Sequence, residues 1–158
     1  MPPRLYVLIG IPGSGKSTLA ARTNKTIVNP DSIRMELTGS EEDQSMDEHV
    51  FDLAWHRMRL HLLEGEDVVL DATNLDPRRR LEPLGVASHA NTEAVAVIMS
   101  TRLAESLERN RGRERVVSSR AMTAMIGLFD RYCSREQLES EGFIVMDPED
   151  AFGLAIDH

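Results

Sequence analysis

The 158-residue chain has one cysteine, Cys133. A lone thiol closes no internal disulfide, and no His or Cys stands near it at metal-ligand spacing, so disulfide scaffolds and zinc modules are excluded and Cys133 reads as a core thiol. Long apolar runs are also missing. The longest, "LYVLIGIP" and "VAVIM", are strand-sized and far short of the roughly 20 residues of a membrane span. The opening "MPPRLYVLIG" shows no secretory cleavage region ahead of a strand-like segment, so the expectation is a cytoplasmic protein with no membrane partner. Lysine is scarce: of 18 basic residues only Lys16 and Lys25 are Lys, and acidic residues outnumber basic ones to give a net charge of −8. That balance argues against a protein that coats nucleic acid, while leaving room for a local groove of arginines suited to phosphate. Repeats and low-complexity segments are absent as well, which excludes solenoids and arrays.

What is present is ordinary for a globular chain. Hydrophobic residues make up 41% and charged residues 28%, and the length suits one domain over residues 1–158. Strand-like and helix-like segments alternate. "RLYVLIG", "TIVN", "DVVLDATN", "EAVAVIMS" and "FIVMD" read as strands. Helices are expected from about Gly15, from Asp31 to Gly39, from Met46 to Glu64, after Asp76, through the arginine-rich "TRLAESLERNRGRERVV", and over 118–132. Asp76 followed by Pro77 is a helix start, with Pro83 and Gly85 weakening the helix beyond it, and "SREQ" has the form of a capping box. This alternation predicts an α/β fold, a parallel sheet flanked by helices on both faces. The acidic stretch "SEEDQSMDE" is expected to be a solvated connection.

"GIPGSGKS", residues 10–17, matches G-x-x-x-x-G-K-[ST] at each fixed position and sits between a predicted strand and a predicted helix, as a phosphate-binding loop must. Gly10, Gly13 and Gly15 let the backbone curl so that its N–H groups point at phosphates, and the helix N-terminus adds positive partial charge. Without a ligand, Lys16 would be an unpaired cation at the positive end of a helix. Gly13, Ser14, Gly15, Lys16, Ser17 and Thr18 are therefore the expected nucleotide-binding set of a P-loop NTPase fold. Lys16 is aimed at the β and γ phosphates of ATP, and the Ser17 hydroxyl at Mg²⁺. Asp71 ends the strand "VVLD" at the edge where ligands bind in open α/β sheets, so it is a candidate for holding Mg²⁺ through water; the alternative is an Asp that only starts a turn.

GTPase and motor readings lack their parts. "NKTI" has no Asp in the position that reads guanine, the only D-x-x-G lies in the tail, and Asp71 is followed by Ala72 where a motor ATPase needs a second carboxylate. A phosphotransferase needs an acceptor site and a cationic lid, and "RNRGRER" offers the lid. Arg109 and Arg113 flank Gly112 there, the alternative being a solvated face paired with Glu105, Glu108 and Glu114. "NPDSIR" reads alone as a helix start with Asp31 as N-cap and Arg34 in the first turn. His56 and His61 lack the spacing of a helical metal pair, Trp55 reads as core, and Arg78, Arg79 and Arg80 read as solvated.

Taken together, "GIPGSGKST", "NPDSIR", "DATNLDPRRR", "RNRGR" and a late "EGF" resemble the P-loop polynucleotide 5′-hydroxyl kinases, the phage end-healing kinases and their relatives, over residues 5 to about 147. The resemblance implies transfer of the γ-phosphate of ATP to a 5′-OH end of DNA or RNA. It implies that Lys16 and Ser17 serve the donor, that Asp31 takes the acceptor hydroxyl's proton, and that Arg34 holds the acceptor's 3′ phosphate. It further implies that Arg113 is the lid arginine on the transferring phosphate, that Arg109 lies near the nucleotide, and that Thr73 and Asn74 line the acceptor side. No Asp-x-Asp-x-Thr phosphatase motif is present, so only the kinase activity is expected. A kinase for a nucleoside, sugar or antibiotic hydroxyl, or a nucleotide-binding regulator, stays open beside this reading.

Overall fold

β1 (Arg4–Ile9) decides the layout, because both of its faces are apolar. Leu5, Val7 and Ile9 point to one side of the sheet and Tyr6 and Leu8 to the other, as the two-residue period of a strand requires. A strand buried on both faces belongs in the middle of a parallel sheet covered by helices. The computed structural model, which describes residues 2–100, 103–112 and 117–154, places it there. β2 (Thr26–Val28), β3 (Val68–Leu70), β4 (Glu93–Ile98) and β5 (Ile144–Met146) complete a five-stranded sheet in the order β2-β3-β1-β4-β5. Every pairing is parallel: Leu5 lies opposite Val68 on one side and Ala94 on the other.

The larger core packs α2 (Pro30–Thr38), α3 (Asp47–Leu63), α4 (Pro77–His89), α6 (Ser119–Tyr132) and α7 (Arg135–Glu141) on one face, through Ile33, Val50, Ala54, Met58, Val86, Met122 and Leu138. The opposite face is covered by α1 (Lys16–Arg22), through Leu19 and Ala20, and by α8 (Pro148–Phe152). Each such fully buried aliphatic side chain contributes about 1.5–3 kcal/mol, so an Asp in place of Val7, which is 0% exposed, would break the sheet's centre. Between β4 and α6 runs α5 (Leu103–Arg111). This is the α/β P-loop NTPase fold anticipated from the alternation of elements. Among the described residues no helix is long and apolar enough to cross a membrane.

Four local expectations are corrected. The N-cap of α2 is Asn29, whose side chain accepts from the Ser32 amide, with Pro30 at the first helical position; Asp31 is left in the first turn, not spent on the cap. α4 runs unbroken through Pro83 to His89, because Pro83, Val86 and Ala87 are buried and packing outweighs the missing N–H. The acidic connection is built rather than merely solvated: Asp43 caps a single 3₁₀ turn, Gln44–Met46, and Asp47 opens α3 while binding Arg34. In "SREQ", Ser134 does cap α7, its Oγ accepting from the Gln137 amide, but the Gln137 side chain is engaged forward, Nε2 donating to Glu141, and completes no capping box with the Ser134 amide.

Candidate active site

The phosphate loop leaves the carboxyl end of β1 and turns at Gly13 and Gly15, whose φ of 82° and 93° lie in the left-handed region that favours glycine. At Gly10 the constraint is space: a Cβ would come within 2.6 Å of Ser14 Oγ and 2.9 Å of Met99 Cβ. The loop is tied to the neighbouring β3–α4 connection by the Gly10 amide, which donates to the Thr73 carbonyl at 3.2 Å. Lys16 Nζ lies over the loop and donates to the Ile11 carbonyl at 2.9 Å. Thr18 follows on the first turn of α1.

Ser17 and Asp71 meet beside this loop. Ser17 Oγ donates to Asp71 Oδ2 at 2.8 Å, and the same oxygen accepts from Asn29 Nδ2 at 3.1 Å. Asp71 is only 6% exposed, and its amide donates to the Val28 carbonyl, which fixes it at the sheet's edge. A hydroxyl and a carboxylate in contact form an all-oxygen donor set, the kind Mg²⁺ prefers alongside water and phosphate oxygens. The residues fit that ion and a nucleotide triphosphate.

Asn29 therefore does two things at once. It caps α2 and holds the helix start against Asp71, and Asp31 follows two residues later. Asp31 Oδ1 accepts from Arg34 Nη1 at 2.6 Å, the pairing that a three-residue spacing on a helix allows. Arg34 is 6% exposed and heavily engaged: Nε and Nη2 donate to the two oxygens of Asp47 at 2.7 and 3.2 Å, and Nη1 also reaches the Glu41 carbonyl. The Asp47 hydrogen bonds, outweighing burial, raise its pKa above the ordinary arginine range.

Arg109, expected in a cationic lid, donates from Nη1 to the Gly13 carbonyl at 3.3 Å and so touches the phosphate loop. Arg113 lies outside the described residues. Asn74, in a left-handed conformation with φ of 51°, is buried, and its Nδ2 donates to the Leu8 carbonyl at 2.8 Å. Its amide is used to brace the loop that carries Thr73 against β1.

Arg80, expected to be solvated, is the opposite. It is 0% exposed and forks onto Glu141, Nε to Oε1 at 2.8 Å and Nη2 to Oε2 at 2.7 Å; it also donates to the carbonyls of Asn74 and Tyr132. The guanidinium thus locks the β3–α4 loop to the junction of α6 and α7. Burial lowers and Glu141 raises its pKa, with a net rise. Burial likewise pushes the Cys133 thiol beside it up, so the thiol stays protonated, as a core residue should. Trp55 is half-buried and stacks on Phe51.

A family model described as an AAA domain matches residues 5–132. The chain belongs to that family. No curated protein sequence matches it. Among solved structures, this AAA domain is similar to a chain of the Pnkp1/Rnl/Hen1 RNA repair complex, at 21% identity and a TM-score of 0.73 over 87% of its length and 46% of the other chain. A further structure of the Pnkp1/Rnl/Hen1 complex gives 24% identity and a TM-score of 0.61 over 73% and 40%. The AAA domain spans less than half the length of either repair-complex chain. A shikimate kinase from Acinetobacter baumannii, in complex with shikimate, is similar at 12% identity and a TM-score of 0.57 over 96% and 89%. At these identities the likeness is one of fold, and the fold is that of P-loop kinases.

Proposed function

We propose that this AAA domain, acting as a single unit over residues 1–158, is an ATP- and Mg²⁺-dependent polynucleotide 5′-hydroxyl kinase. The observation that supports the reading is Asn29, two residues before Asp31, which ties the start of α2 to the Ser17–Asp71 pair. Lys16 leaves the Ile11 carbonyl for the β and γ phosphates, and the glycine turn wraps them with backbone N–H groups. Ser17 and Asp71 would hold Mg²⁺, which would supply positive charge beside the phosphates. Asp31 accepts the proton of the 5′-OH as its oxygen attacks the γ phosphorus and the bond to the bridging oxygen of ADP breaks. Arg34 receives the phosphate next along the acceptor, Thr73 and Asn74 shape that side of the site, and Arg109 and Arg113 stabilise the charge on the transferred group. A cytoplasmic location, where ATP is plentiful, goes with this reading.

A second reading is favoured by a specific feature: Arg34 is already held by two carboxylates, which suits a small acceptor with no phosphate to offer. Labelled ATP incubated with 5′-OH oligonucleotides, with nucleosides, and with no acceptor separates the two. Transfer to oligonucleotides far in excess of transfer to nucleosides is expected. Transfer only to a small hydroxyl compound would overturn the first reading, and hydrolysis without transfer would overturn both.

A further inference from the structure

Asp47 occupies the bidentate fork of Arg34. A phosphodiester presents two oxygens and one negative charge to such a fork, much as a carboxylate does. Resting on the kinase reading above, we propose that Asp47 is an internal stand-in for the acceptor's phosphate: it fills the Arg34 fork until a phosphate one linkage from the attacking hydroxyl displaces it, and so sets how tightly phosphate-bearing acceptors are held.

Three observations lead here. First, the guanidinium is divided. Asp31 takes Nη1, while Asp47 takes Nε and Nη2, so exchanging Asp47 for a phosphate leaves the Asp31–Arg34 contact in place. The base and the phosphate site then lie on different edges of one rigid plane, which measures the distance between hydroxyl and phosphate. Second, the exchange conserves charge: one anion leaves the fork and one enters, so a nearly buried arginine is never stripped of its partner, a state that would be costly. Third, the displaced carboxylate has a destination. Asp47 is the first residue of α3, its side chain is 30% exposed, and the N-cap Met46 supplies no side-chain hydrogen bond to the helix start. A carboxylate released there turns toward solvent and the amides of the first turn, where negative charge is favoured. A neutral acceptor offers nothing in exchange and leaves Asp47 on Arg34, so its own binding does not depend on Asp47.

The test compares wild type, Asp47→Asn and Asp47→Ala with a nucleoside and its 3′-monophosphate as acceptors. Removing the competing anion is expected to raise the preference for the 3′-phosphorylated acceptor about tenfold, mainly through its KM, the scale of one charge-assisted contact. An unchanged or reduced preference would overturn the role of Asp47, because a merely structural Asp47 would move both acceptors together. In the wild-type protein the Arg34 Nε–H resonance, assigned by its loss in Arg34→Lys, is expected to shift on adding the nucleoside 3′-monophosphate and not on adding the nucleoside. Should the Asp47 variants fail to fold, this titration decides, and a resonance that does not move overturns the proposal. Wild-type transfer to 3′-phosphorylated acceptors with an unaltered preference in the variants removes only the role of Asp47. Absence of such transfer in the wild type removes the kinase reading and the stand-in with it.

Discussion

Ser17 Oγ and Asp71 Oδ2, 54 residues apart in the chain, lie 2.8 Å from each other at the carboxyl edge of the sheet. Asp71→Asn preserves the shape and removes the charge that would help hold the ion. The Mg²⁺ concentration needed for half-maximal transfer should rise about 10- to 100-fold. An activity titration against Mg²⁺ checks this, and an unshifted midpoint would reduce Asp71 to a strand end.

Asp31 sits in the first turn of α2 with the capping duty taken by Asn29, so its carboxylate can be neutralised without unwinding the helix. Asp31→Asn should lower the transfer rate by about 10²- to 10⁴-fold, the range for loss of a general base, while ATP affinity stays unchanged. Single-turnover transfer alongside calorimetric ATP binding tells the two apart. Equal losses in both would make Asp31 a structural partner of Arg34.

Arg80→Met leaves Glu141, only 13% exposed at its side chain, as an uncompensated buried charge. A loss of about 3–5 kcal/mol is expected in denaturant unfolding. Replacing both partners, as Arg80→Met with Glu141→Leu, should recover much of that loss. A double variant as unstable as the sum of the singles would show that the carbonyls of Asn74 and Tyr132, not the ion pair, set the cost.

Acid should probe the far edge of the sheet. Burial pushes the Asp67 carboxyl up, but hydrogen bonds from Lys25 Nζ at 2.7 Å and from the Arg4 amide at 2.8 Å prevail and hold it below the usual carboxylate range. A carboxyl depressed in the folded state binds its proton more readily when unfolded. Its stabilisation is complete above the unfolded value of about 3.9 and is lost as pH falls through the lower folded one. Thermal unfolding below about pH 4 should therefore be less steep in Lys25→Met than in wild type. Identical slopes would show that Lys25 and Asp67 do not couple.

The turn of the phosphate loop was legible in the sequence because its cause is local. Three glycines, a lysine and a serine at fixed spacing dictate a turn whatever the rest of the chain does, and "RLYVLIG" reads as a strand from its own residues. Two of the corrected residues, Arg80 and Asp47, have a partner distant in sequence. Arg80 looks solvated among three arginines because Glu141, 61 residues on, is invisible from its neighbours. Asp47 looks like loop charge because Arg34 meets it only after the chain doubles back. Asn29 is different, since Asn followed by Pro is itself a helix start and is as legible in the sequence as the acidic Asp31 beyond it.

The position of β1 also governs when the protein becomes competent during synthesis. The phosphate loop is synthesised before both segments that flank β1 in the sheet: Leu5's neighbours, Val68 and Ala94, are made later, and the loop's contact with Met99 later still. Closing those long crossovers is slow and entropically costly. A nascent chain thus carries an unfinished phosphate loop until β4 has been made and β1 has gained its second neighbour.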